Sequence, residues 1–169
     1  MSINSKQKGS EFELKVAKLL TKWSGETFHR TPMSGALHWA NDNRVVSDIV
    51  PPQSLVDAGW PYSIECKKVE SSWEFNGFLE GTAIFWKHWK QCYEDSQREN
   101  MIPLLVFNKN YRDIYVAMTT EVYVQLGIRI ENVIYLECQG WNLTILRLND
   151  LLDNITCEEL ISKDLLKTL

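Results

Sequence analysis

The chain has 169 residues and a mass of 19.7 kDa, the size of one domain at roughly 100–200 residues each. Hydrophobic residues make up 44% and charged residues 24%, which excludes a disordered tail, a collagen-like repeat and a supercharged arm. The net charge of −4 is uneven: residues 1–110 hold 13 basic and 13 acidic side chains, whereas 111–169 hold 5 and 9, so any polyanion-binding surface must be local.

The apolar period predicts a first helix over 5–23. Phe12, Val16, Leu19, Leu20 and Trp23 share one face, with Lys8, Glu11, Lys15, Lys18 and Lys22 on a neighbouring polar face. Gly25 is placed to stop it. A short strand over 27–30 and a polar loop over 31–43 follow. A strand over 44–50 is stopped by Pro51-Pro52, and a turn region leads into a strand over 62–69. These two strands are expected to pair as an antiparallel hairpin. A second helix over 82–99 carries Phe85, Trp86, Trp89 and Tyr93. Phe85, Trp89 and Cys92 are expected to pack inward, leaving Trp86, Tyr93 and Trp73 for a partner subunit or a ligand. Strands over 102–108 and 113–119, a short helix over 120–126, strands over 133–138 and 143–148, and a helix over 158–167 complete the chain. The order predicts the α/β class, a mixed sheet flanked by helices.

Apolar runs such as residues 104–107 fall far short of the ~20 residues of a membrane helix. The first lysines have no apolar stretch behind them, so no secretory signal and a cytoplasmic location are expected. Cys66, Cys92, Cys138 and Cys157 form no CxxC pair, which argues for reduced thiols over a thiolate zinc site.

The chemistry concentrates at Asp48, Glu65 and Lys67. Asp48 interrupts the apolar run Val45-Val46-Ser47-Asp48-Ile49-Val50, and Glu65 and Lys67 alternate with Ile64 and Cys66, so they share one strand face. Across a hairpin Asp48 can meet Glu65. Two adjacent carboxylates repel unless a cation lies between them. Mg²⁺ fits, since it takes one or two carboxylates, keeps waters and adds phosphate oxygens. The Cys66 carbonyl, between the two side chains, is a further candidate ligand. Lys67 can orient or help deprotonate an attacking water, or neutralise charge developing on a phosphate.

Ser47-Asp48 with Glu65-Cys66-Lys67 resembles the PD-(D/E)XK nuclease motif, with Ser in place of the nominal Pro. Lys8-Gly9-Ser10-Glu11-Phe12-Glu13-Leu14 opening the first helix, then Phe28-His29-Arg30, then Ser34-Gly35, resembles the archaeal-type and phage Holliday junction resolvases over residues 6–118. The resemblance implies a restriction-endonuclease-like mixed sheet and one nuclease domain over 1–169, with 119–169 as an extra C-terminal α/β segment. It implies that Glu11 completes the metal site, that Asp48 and Glu65 are the strand carboxylates and that Lys67 is the catalytic lysine. It places Arg30 near the scissile phosphate and Ser34 on a loop touching the DNA backbone. Gln91, on the second helix, would hydrogen-bond Lys67 or a metal-bound water. Lys8 and Lys68, with Lys6, Lys15, Arg30 and Lys67, would hold DNA through its phosphates.

The expected activity is a Mg²⁺-dependent endonuclease, with Mn²⁺ substituting. Its substrate would be a four-way junction or other branched DNA, cut by a two-fold dimer in a bacterial or phage-infected cell. Two alternatives stand beside it: a restriction- or recombination-type nuclease on duplex or single-stranded DNA, and a nuclease-fold DNA-binding module without catalysis. Blander readings also exist. Glu11 can pair with Lys15 across one helical turn, Gln91 can be an ordinary exposed helix residue, and His29, His38 and His88 show no ligand spacing.

Overall fold

The computed structural model describes residues 5–31, 47–69, 75–109 and 112–162. Helix α1 (Ser5–Ser24) matches the apolar period, with Phe12, Val16, Ala17 and Leu20 buried. It ends where Gly25, at φ 76°, takes the left-handed conformation and returns its N–H to the Thr21 carbonyl at 3.0 Å. Strands β1 (His29–Arg30) and β2 (Ile49–Val50) pair antiparallel. Helix α2 (Gln53–Asp57) leads into β3 (Tyr62–Val69). Then come α3 (Phe75–Glu80), α4 (Ile84–Arg98), β4 (Ile102–Lys109), β5 (Ile114–Thr119) and α5 (Thr120–Leu126). The chain closes with β6 (Ile134–Cys138), β7 (Trp141–Arg147), α6 (Leu148–Asn154) and α7 (Cys157–Ser162).

The main sheet has five strands in the order β3-β4-β5-β7-β6. β3 and β4 run parallel, joined through α3 and α4, and the remaining pairs are antiparallel. The expected α/β architecture, a mixed sheet flanked by helices, is the one observed. β7 lies between β5 and β6, so residues beyond 118 complete the sheet.

Alternation divides the sheet into two apolar faces. Tyr62, Ile64, Cys66, Leu104, Val106, Val116 and Met118 pack with Phe12, Val16 and Leu20 of α1 and with α5–α7. Leu105, Phe107, Ala117, Leu143 and Ile145 pack under Phe85, Trp86 and Trp89 of α4. Trp86 is therefore buried, its indole N–H donating to the Phe78 carbonyl at 3.0 Å, and the expectation that it faces a partner is corrected. Tyr93 is half-buried against Trp141, while Trp73 lies outside the described residues.

The expected hairpin between the Asp48 strand and β3 is also corrected. β2 is only two residues long and its ladder partner is β1, with His29 opposite Val50 and Arg30 opposite Ile49. The predicted turn at 53–61 contains α2, and α3 and α6 add helices that the sequence pattern did not indicate. No helix among the described residues is long and apolar enough to cross a membrane.

Candidate active site

Asp48 reaches β3 by two bonds rather than by a ladder. Its N–H donates to the Ile64 carbonyl at 3.0 Å, and its Oδ2 accepts the Cys66 N–H at 2.8 Å. A ladder would satisfy that edge amide with a carbonyl; here a carboxylate does so, a charge-assisted bond. Ser47, standing where the motif has Pro, shapes the bend. Its buried hydroxyl donates to the Ile49 carbonyl at 2.5 Å and accepts the Ile49 N–H at 3.3 Å, closing a turn with Asp48 at its centre. Thr31 fixes the strand entry, donating through N to the Asp48 carbonyl at 2.9 Å and through Oγ1 to the Ser47 carbonyl at 2.5 Å.

Glu65 and Lys67 occupy the α4 face of β3, opposite Leu105 and Phe107 of β4. The Lys67 ammonium meets Glu65 Oε1 at 2.5 Å. Burial and then the Asp48 charge push the Glu65 carboxyl up to about 7, against the pull of Lys67. Burial also raises Asp48, although the Cys66 amide, the Lys67 charge and a hydrogen bond with Glu65 oppose it. Asp48 is thus pinned to the backbone between Glu65 and Lys67, and its charge adds to burial in raising Glu65. Lys67 is raised: burial lowers it, but the Glu65 bond and the Glu65 and Asp48 charges outweigh that, so the ammonium stays charged. The Cys66 side chain belongs to the other face, where burial pushes its thiol far up.

The acid contributed by α1 is Glu13. Burial and then the nearby Asp48 charge raise it, while Arg30 Nη1, at 3.2 Å from its Oε2, lowers it. Glu11 is exposed on the polar side of α1 and accepts from Gln7 Nε2 at 3.3 Å. The expectation for Glu11 is therefore corrected, and the helix period explains why. Glu13 stands three and four residues before buried Val16 and Ala17, whereas Glu11 shares the face of Lys15, Lys18 and Lys22.

Gln91 is exposed and makes no hydrogen bond to Lys67 among the described residues, and it stands three and four residues from His88 and Asp95 on the same side of α4. His88, Cys92 and Asp95 are the α4 residues that sense the site. Burial and then the Lys67 charge lower His88, and Asp95 contributes weakly to raising Glu65. Sequence reasoning passed over His88 because it seeks ligand spacing, whereas this contact arises only when α4 packs on β3. Arg30 is held by Glu13, Lys8 is half-buried, and Lys68 is half-buried on the face of β3 opposite Lys67. Ser34 lies outside the described residues.

Asp48 and Glu65 offer carboxylate oxygens beside the Lys67 ammonium, donors suited to a hard divalent cation. Among the described residues no three His, Cys, Asp or Glu side chains converge into a metal cage. Mg²⁺ needs none, because it keeps several waters beside one or two carboxylates.

A family model described as "Phage putative PDDEXK endonuclease" matches residues 4–162. The chain belongs to this PDDEXK nuclease family. It is also similar to Protein D14 of Escherichia phage T5, 28% identical over 119 residues that span 70% of this chain and 72% of that protein. No solved structure matches. PDDEXK nucleases generally use divalent metals.

Proposed function

We propose that the chain is a Mg²⁺-dependent endodeoxyribonuclease acting on branched DNA, four-way junctions above all, as a two-fold dimer with one site per protomer. The observation that supports the catalytic reading is Asp48 bonded to the Cys66 amide at 2.8 Å, between Glu65 and a Lys67 ammonium that meets Glu65 Oε1 at 2.5 Å. Asp48 and Glu65 would hold the ion, with the Cys66 carbonyl as a further ligand and Glu13 in the place first expected for Glu11. Mn²⁺ would substitute, since it accepts the same oxygen donors. When bound, the ion supplies Lewis-acid polarisation of the phosphate and acidifies a water.

The chain's own groups do the rest. Glu65 fixes Lys67 in direction, and Lys67 neutralises charge that builds on the phosphoryl oxygens as the attacking oxygen approaches. Arg30, steered by Glu13, stands ready for a phosphate on the α1 side of the centre. Lys8, Lys68 and Ser34 would hold the backbone, with Lys6 and Lys15 further along α1. Phosphate contacts of this kind read the shape of a junction rather than its sequence and weaken steeply with salt. The resemblance of the α1 opening and the Ser34-Gly35 loop to resolvases supports the junction substrate.

The test is cleavage of a synthetic four-way junction, the matching linear duplex and a single strand, each with Mg²⁺, Mn²⁺ or Ca²⁺. Preferential, symmetric cutting of the junction with Mg²⁺ and Mn²⁺ is expected. Equal cutting of every substrate would replace the junction reading with a restriction- or recombination-type nuclease. Binding without cutting under all three ions would leave only a DNA-binding module.

A further inference from the structure

The sheet has a second edge, at β6, four strand spacings or about 19 Å from β3. Its residues, Ile134-Tyr135-Leu136-Glu137-Cys138, include neither the lysine nor the proline with which edge strands commonly block pairing. Ile134 is 58% and Tyr135 63% exposed. Beside them a cleft of about 700 Å³ opens between β6, β7, α4 and the start of α5. Tyr93 and Trp141, edge to face with centroids 4.6 Å apart, line it together with Tyr135. Glu121 and Glu137 also line it, both exposed and neither in an ion pair among the described residues. Among the described residues no lysine, arginine or histidine lines the cleft.

This chemistry selects the occupant. A nucleic acid would set phosphates against two carboxylates with no cation between them. A second copy meeting edge to edge would bring together two acidic segments, since residues 111–169 hold 9 acidic against 5 basic side chains. A basic, extended chain satisfies every feature at once. Its backbone adds a strand to β6, its cations pair with Glu121 and Glu137, and one of them stacks against the Tyr93–Trp141 aromatics. We propose that this edge and cleft dock an extended, arginine- or lysine-bearing segment of a partner protein by strand addition. The contact leaves the β3 edge open, so a nuclease can be held on another protein while its catalytic side stays accessible.

The test uses the full chain and a labelled short peptide alternating arginine and valine, followed by fluorescence anisotropy. Binding is expected, weakened roughly tenfold by the double variant Glu121→Gln, Glu137→Gln, the effect of losing two screened ion pairs. The same peptide with glutamate in place of arginine should not bind. Amide hydrogen exchange should show new protection at Ile134–Glu137. Both glutamates are exposed, so the double variant should keep its melting temperature and nuclease activity. Equal binding by wild type and double variant would overturn the proposal, as would protection that misses β6. So would a single-stranded oligonucleotide that competes for the cleft and loses affinity in Trp141→Ala. Self-association in sedimentation that the double variant alters would also overturn it, assigning the edge to a second copy.

Discussion

The two edges of the sheet hold carboxylates under opposite conditions. Beside β3, Asp48 and Glu65 are half-buried next to Lys67, and burial raises both carboxyls. Near the β6 edge, Glu121 and Glu137 are exposed to water. The same functional group is therefore partly desolvated at one edge and hydrated at the other. Desolvation makes the difference, because an ionised carboxylate tolerates burial only when a cation or proton compensates it.

The sharpest way to break this comparison is to remove the buried charge. Asp48→Asn should lower cleavage by about 10³-fold or more while DNA binding in Ca²⁺ is kept or tightened, because a ligand and a negative charge leave together. Lys67→Ala should lower the rate by about 10²–10³-fold and leave metal binding, read by calorimetry, in place. Wild-type cutting by Asp48→Asn would show that the chemistry lies elsewhere. The contrast between neighbouring helix acids comes next. Glu13→Gln should cost about 10–100-fold in single-turnover cleavage, the range typical of residues supporting a metal site, and Glu11→Gln should change it by less than about twofold. Equal effects would return the two acids to a common surface role.

The smallest effect is on stability against pH. Glu65 loses its proton near its ordinary 4.5 when unfolded but near 7 when folded, so between those values the native state carries the extra proton. Asp48 and Glu13 are raised too and act in the same sense. Without metal, stability is fully present below about pH 4.5 for this group and is lost as pH rises toward 7, by a few kcal/mol at most at 1.36 kcal/mol per unit. A divalent ion should reverse the slope, raising the melting temperature more at pH 8 than at pH 5.5, because it compensates the charges that burial penalises. A melting curve indifferent to Mg²⁺ at both values would remove the metal from the site.

Much of this was legible in the sequence where local pattern and tertiary burial coincide. The α1 stripe of Phe12, Val16 and Leu20, the strands at 62–69 and 102–108, and the clustering of Asp48, Glu65 and Lys67 belong to that class. The failures come from long-range packing. Closeness in sequence suggests a hairpin, but β2 has its ladder with β1, and Asp48 just before it meets β3 through one main-chain and one side-chain bond. Trp86 was assigned outward from helical spacing, yet α3 folds over it and accepts its N–H. Glu13 was within reach of the period itself, since an acid on an apolar face asks for a reason. His88 was not, because no local pattern marks which turn of α4 will cross β3.

The bond from the Cys66 amide to Asp48 has a consequence for what position 66 tolerates. The atom that holds the Asp48 carboxylate is a main-chain nitrogen, which every residue but proline supplies, while the thiol points away into the packing beneath α1. Position 66 is thus read twice, by Asp48 as bare backbone and by the interior as a small apolar filler. Exchanging its side chain for alanine or valine should shift melting without moving Asp48, whereas proline would unfasten it.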